Sequence, residues 1–390
     1  MSAISADELR ERVVRELPAL SALGVAAAVD AWLAAPGVDA GAAARVAAEL
    51  LGAGPLEALL ADPRVSEIMV NGPRQVHVEI EGRLQLSDVR FGDEHQLRAV
   101  IDRLLAGTGR RLDESTPTVD AVLRDGTRLN AVLPPVAVGG PLLTLRRPRV
   151  RALQLGDLVC GGGIPPALAA FLHAAVEGRC NLLVSGGTGA GKTTLLSALC
   201  ALVPGDQRIV TVEDVAELRV EHPHVVAQQC RDPLDGGGAA LDLRALLRNT
   251  LRMRPDRIVV GEVRGAEAAD MVAAMNTGHP GSMGTVHANS ARDAVARLEA
   301  MLSLAWPAVG VRTVRRWLFT AVDVVVHCER DASGRRVVAE VVAVDDGNMA
   351  TVYDGAQGGT LHRPPPRCLE RMARNGVDFA PERLLRVDVA

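Results

Sequence analysis

Leu182-Leu183-Val184-Ser185-Gly186-Gly187-Thr188-Gly189-Ala190-Gly191-Lys192-Thr193-Thr194 is the stretch that decides the fold. Leu182–Ser185 reads as a short buried strand. The residues after it spell G-x-x-x-x-G-K-[ST], and Thr194–Leu202 has a helical pattern. Strand, glycine loop and helix are the setting in which backbone amides bind phosphate. Glycines let the chain curl so that consecutive N–H groups point inward. The helix N-terminus adds its dipole and its free amides. Lys192 then places an ammonium at the β- and γ-phosphates, and Thr193 offers a hydroxyl to Mg²⁺. Lys192 is the single lysine among 43 basic residues. An otherwise all-arginine chain keeps a compact ammonium where a planar guanidinium would not fit.

Binding a nucleotide is not yet hydrolysis, which also needs a carboxylate near the metal and a group that orients water. Arg257–Glu262 reads as an apolar strand ending in an acid, so Glu262 is expected to touch Mg²⁺ directly or through water. Ile209–Val212 is a second such strand, ending in Glu213-Asp214, with Glu217 one turn later. In a parallel sheet both strand ends share the carboxyl edge with the phosphate loop. Glu213 is the expected general base. Asp214 is the alternative or a turn cap, and the choice between Glu213 and Glu262 stays open. Two histidines, His279 and His287, lie in the run 278–289. His287 follows a strand-like segment that would bring it to the phosphate edge as a γ-phosphate sensor. No Cys, Asp or Glu sits at ligand spacing from the pair, so no zinc is expected.

Outward from these strands, the chain of 390 residues suggests two domains or a little more. Residues 1–50 read as an alanine-rich helical leader, broken near Pro18 and at Pro36-Gly37. Residues 51–147 read as a small α+β domain. It holds a hairpin over 76–86 and a helix capped by Asp93 with a stripe of Leu97, Val100, Ile101, Leu104 and Leu105. Three strands follow, around 121–123, 129–133 and 142–145. Residues 148–166 read as a linker rich in Gly and Pro. From 167 to 390, apolar strands alternate with helical patterns: 181–185, 209–213, 225–229, 258–261, 282–287 and 322–328. That is the signature of parallel βαβ units, an α/β sheet flanked by helices.

Composition narrows the class. With a net charge of −4 and 2% aromatic residues, the chain offers neither a basic field nor stacking platforms, so nucleic acid is an unlikely partner. No run approaches the length of a membrane-spanning helix, and the charged opening does not fit a signal peptide. The six scattered cysteines read as reduced thiols, mostly core filler, and not as a zinc site or disulfide framework.

Four segments occur in a fixed order: Gly186–Thr194, Val212–Leu218, Leu251–Gly265 and Gly278–Asn289. Together they resemble the Walker A, Asp box, Walker B and His box of the type II/type IV secretion ATPase superfamily. The pattern is most similar to the tight-adherence (Tad/Flp) pilus assembly ATPases and the type IV secretion traffic ATPases. The likeness covers roughly residues 51–345 and implies a RecA-like P-loop ATPase domain that hydrolyses ATP with Mg²⁺. It also implies a homo-hexameric ring and an N-terminal domain that closes over the nucleotide. That domain would supply arginines to the γ-phosphate, here Arg128 and Arg146. The implied setting is the cytoplasm, at the inner face of the membrane, against a polytopic inner-membrane platform protein of a pilus or secretion system. The tetracysteine zinc module of the pilus-extension branches has no counterpart. Two other readings remain: a nucleotide-dependent regulatory or binding module, and, less favoured, a nucleic-acid motor.

Overall fold

A computed structural model describes residues 52–80, 82–147, 152–231, 240–345, 347–356 and 359–380. The expected leader over 1–50 lies outside the described residues. The chain divides into two compact units, Met1–Val150 and Arg151–Ala390.

In the first unit the elements run α1 (Glu57–Ala61), β1 (Val65–Asn71), β2 (Gln75–Ile80), β3 (Arg83–Leu86), α2 (Glu94–Leu105), β4 (Thr118–Val122), β5 (Arg128–Val132) and β6 (Leu142–Arg146). The six strands form one antiparallel sheet in the order β3-β2-β1-β6-β5-β4. Alternation puts Leu129, Ala131, Leu143 and Leu145 into the core and leaves Arg128 and Arg146 exposed. Helix α2 begins where the Asp93 carboxylate accepts the Gln96 backbone N–H at 2.8 Å. Its buried stripe of Leu97, Val100, Ile101 and Leu105 joins Ile68, Val70, Leu143 and Leu145 in one core. Strand β1, central to this sheet, is absent from the expected strands. A register shift between Val65 and Glu67 interrupts its alternation, which hides the period-2 signal.

The second unit runs α3 (Leu155–Cys160), α4 (Pro166–Glu177), β7 (Leu182–Gly186), α5 (Lys192–Cys200), β8 (Ile209–Glu213), β9 (Val225–Gln229), α6 (Leu243–Thr250), β10 (Arg257–Val263) and α7 (Glu267–Asn276). It continues with β11 (Met283–His287), α8 (Ala291–Ala305), α9 (Val311–Ala321), β12 (Val324–Arg330), β13 (Arg336–Asp345), β14 (Asn348–Asp354), β15 (Thr360–Leu361) and α10 (Pro366–Arg374). Its sheet order is β15-β14-β13-β12-β7-β11-β10-β8-β9. The six strands from β12 to β9 are parallel, and β13–β15 extend the sheet antiparallel. That extension has no counterpart among the expected strands.

Every residue of β7 and β8 is buried, as a central parallel strand covered on both faces requires. Leu182 and Val184 face one hydrophobic core, and Leu183 faces the other. The stretch 148–166, expected as a linker, holds α3. Leu155 and Ile164 from that stretch are buried in the core of the second unit. Reciprocal capping between Gln154 and Asp157 starts that helix, a signal masked by the glycines around it.

Candidate nucleotide site

The carboxyl ends of β7, β8, β10 and β11 meet at one edge of the parallel sheet, where loops are free to build a site. His287 is the register partner of Gly186, the residue at which β7 turns into the glycine loop. Val212 pairs with Val260, which sets Glu213 against Gly261. A Cβ on residue 261 would lie 2.7 Å from Glu213 Cγ, so glycine is what admits the glutamate. His279 lies before the opposite, amino end of β11, where its backbone carbonyl accepts the Ser282 hydroxyl. The two histidines of the 278–289 run therefore sit at different ends of one strand.

The loop itself is a cradle that side chains would fill. Gly186 and Gly191 hold φ values of 155° and 100°, which L side chains rarely adopt. A Cβ at Gly186 would also collide with the Cys328 carbonyl oxygen. Gly191 caps α5, which starts at Lys192, one half-turn earlier than the expected Thr194. Lys192 Nζ donates to the carbonyl oxygens of Gly186 and Gly187, each at 3.0 Å. Partial burial lowers the lysine pKa, and the nearby Glu262 carboxylate opposes that shift. Thr188, Gly189, Ala190, Thr193 and Thr194 complete the loop and the first helical turn.

Glu213 is 3% exposed. Its Oε1 accepts the backbone N–H groups of Glu217 and Leu218, each at 3.0 Å. Its Oε2 is buried without a hydrogen-bond partner. Burial pushes this carboxyl up to about 7, with the two amides pulling the other way. Asp214, the alternative, is a different kind of group. It lies in reach of Arg264 and of the Cys230 thiol on the exposed side of the strand end. Glu262 accepts from Arg264 at 2.7 Å. The next acid, Glu267, turns its Oε1 back to the Arg264 and Gly265 amides at the start of α7.

Arg128 and Arg146 are brought together within the first unit. They are direct register partners across β5 and β6. Arg146 also lies opposite Glu67 of β1, with Nε 3.5 Å from the carboxylate. Like charges set directly opposite each other across two strands cost stability unless something offsets them. Glu67 does so in part.

The sequence reading missed two arginines on the loop. Arg330 at the end of β12 and Arg336 at the start of β13 both donate from Nε to the Gly189 carbonyl, at 3.2 Å and 2.9 Å. No motif marks them. The antiparallel hairpin that carries them is the signal, and of its two arms only β12 was expected, as the strand over 322–328, while β13 was not. All six cysteines carry free thiols.

The model of the family "Type II/IV secretion system protein" matches residues 49–385. A putative conjugal transfer protein of Mycobacterium tuberculosis is 45% identical over 302 residues, covering 76% of this chain and 85% of the relative. The type IV secretion system protein VirB11 of Bartonella henselae is 31% identical over 330 residues, covering 74% and 90%. Among solved structures, the pilus retraction motor PilT with bound ADP aligns with a TM-score of 0.56 at 21% identity, over 83% of this chain and 87% of that one. The Legionella pneumophila ATPase DotB aligns at 0.54 and 22%, over 75% and 80%. These two define the fold class, a RecA-like α/β domain that follows a smaller α+β domain in the sequence. The chain belongs to the type II/IV secretion system protein family, as an ATP-hydrolysing enzyme of secretion.

Proposed function

We propose that this chain turns over Mg²⁺–ATP at the carboxyl edge of β7, β8 and β10, with Glu213 as the general base. The observation that carries this is the buried, unpartnered Oε2 of Glu213. A carboxylate oxygen desolvated without a donor is costly, and a water aligned for attack is the donor it would take up. The glycine cradle and Lys192 fit the phosphates of a nucleotide. Thr193 and Glu262 are the oxygen donors that would hold the metal, a hard cation that would supply charge neutralisation at the phosphates. Lys192 offsets charge on the β- and γ-phosphates, and His287, beside Gly186, reports on the γ-phosphate. Arg128 and Arg146 present two guanidinium groups side by side for the phosphoryl oxygens as charge grows on them.

The motor would work as a homo-hexamer at the cytoplasmic face of a membrane, against a polytopic platform protein. Among the described residues, no helix is long and apolar enough to cross a membrane. The names of the relatives, conjugal transfer and type IV secretion, favour export across that membrane as the work done. The Glu213→Gln variant tests the chemistry. It should bind Mg²⁺–ATP as the parent does and release no phosphate. Parent-like turnover in this variant would remove Glu213 from the reaction. A parent chain that binds ATP but never hydrolyses it would make the protein a nucleotide-dependent binding module.

A further inference from the structure

We infer that Arg330 and Arg336 form a clamp that presets the phosphate loop, acting as positioning residues for the nucleotide site proposed above. The inference rests on that reading of the site and adds residues outside its motifs.

The two arginines are register partners at the mouth of the β12–β13 hairpin, so the fold sets two cations directly opposite each other. Such a pair is unfavourable by itself. Both Nε–H groups converge on one acceptor, the carbonyl oxygen of Gly189, at 3.2 Å and 2.9 Å. The turn between them is built to hold this geometry. Asp331 accepts from the Ser333 and Arg335 amides and from the Arg335 guanidinium, which keeps that third arginine occupied elsewhere.

A carbonyl has two lone pairs, and two charged donors occupy them with the strength of charge-assisted bonds. Because the peptide is planar and trans, a C=O fixed on one side fixes the following N–H on the other. That N–H belongs to Ala190. It points across the loop toward the Gly187 carbonyl at 3.3 Å, a long contact that leaves its donor capacity largely unused. Gly187 O is also one of the two carbonyls that hold the Lys192 ammonium. The clamp thus holds the 189–190 peptide in one orientation inside the loop and polarises its amide as a donor. Arg336 further packs its aliphatic stem on Gly191, where a Cβ would lie 3.2 Å from Cδ. Neither arginine touches a reacting atom, so its effect belongs to affinity.

The test compares Arg330→Gln, Arg336→Gln, the double glutamine variant and the double lysine variant, with Lys192→Ala as control. Each single change should weaken ADP binding by about twofold, because one guanidinium still holds the carbonyl. The double glutamine variant should lose at least about tenfold, more than the product of the singles. KM for ATP should rise in parallel while kcat stays within about twofold of the parent. Hydrogen exchange in the nucleotide-free protein should quicken at residues 186–192 in the double variant, and the lysines should restore part of the loss. An unchanged affinity in the double glutamine variant overturns the clamp, as does a fall in kcat at constant KM. If Lys192→Ala abolishes binding while the double variant binds normally, the nucleotide site stands and the clamp alone fails. If the parent chain binds no nucleotide, both fail.

Discussion

Glu213 packs against the bare Cα of Gly261, with room for no side chain between them: a methyl group there would lie 2.7 Å from Cγ and 3.2 Å from Cβ. The Gly261→Ala variant should therefore push the carboxylate out of line while leaving the phosphate cradle intact. Overpacking of this kind costs about 1–3 kcal/mol in stability, and misplacing a catalytic group by an ångström costs about a hundredfold in rate. The expected result is a large fall in kcat with ADP affinity kept. Calorimetry for binding and a phosphate-release assay for turnover check it, and unaltered turnover would mean that Glu213 need not be held there.

The same carboxyl predicts two opposite responses to pH. As a base it must be ionised, so kcat/KM should climb about tenfold per pH unit below neutrality and level off above about 7. Stability runs the other way. Because the folded pKa lies above the ordinary value of 4.5, the native state holds this proton more tightly than the unfolded chain does. Its stabilising contribution is complete below pH 4.5 and fades as the pH rises toward 7. In Glu213→Gln that slope should flatten. Denaturant midpoints measured at several pH values in metal-free buffer decide the matter: equal slopes in parent and variant would contradict the burial argument.

Lys192 and Glu262 should separate binding from chemistry. Lys192→Ala removes the ammonium that Gly186 and Gly187 hold in place, and ADP binding should fall below detection. Glu262→Ala should abolish turnover, with a smaller loss in affinity for nucleotide than for Mg²⁺–nucleotide. Titrations with and without the metal distinguish the two. Full activity in either variant would refute the assignment.

For the cross-strand pair Arg128 and Arg146, function and stability should part company. Replacing Arg128 with Ala removes a like-charge contact, so the melting temperature should hold or rise slightly, by the equivalent of about 0.2–1 kcal/mol, while Arg146→Ala also gives up the Glu67 ion pair and should leave it unchanged. Turnover should nevertheless fall by about tenfold or more, as for groups that meet charge in a transition state. Surface arginines of no function would leave kcat where it was.

Much of this was legible in the residues themselves. Strand β8 has the bounds read from its apolar run and β7 is displaced by one residue, because fully buried parallel strands write themselves as continuous hydrophobic stretches, and the edge strand β9 also has its expected bounds. Three features were not legible, each for a physical reason. The bulge in β1 breaks alternation at Val65 and Glu67, so a central strand was not among those expected. Arg257 reads as a polar boundary to an apolar run. It is in fact fully buried, its guanidinium donating to the carbonyls of Val176 and Gly281 and to the Gln207 side chain. No local pattern announces such partners. Glu213 was the expected base with Asp214 as its alternative, on two adjacent carboxylates whose surroundings the sequence does not show. Only the three-dimensional fold shows that one is desolvated beside Gly261 while the other faces an arginine at the strand end.

The lysine of the phosphate loop is already seated between two carbonyl oxygens of its own backbone. Its loss of hydration is thus a cost of folding, not of binding. An incoming phosphate oxygen trades places with a peptide oxygen, so occupancy of the loop is an exchange of neighbours around a charge that never has to be drawn in from bulk water.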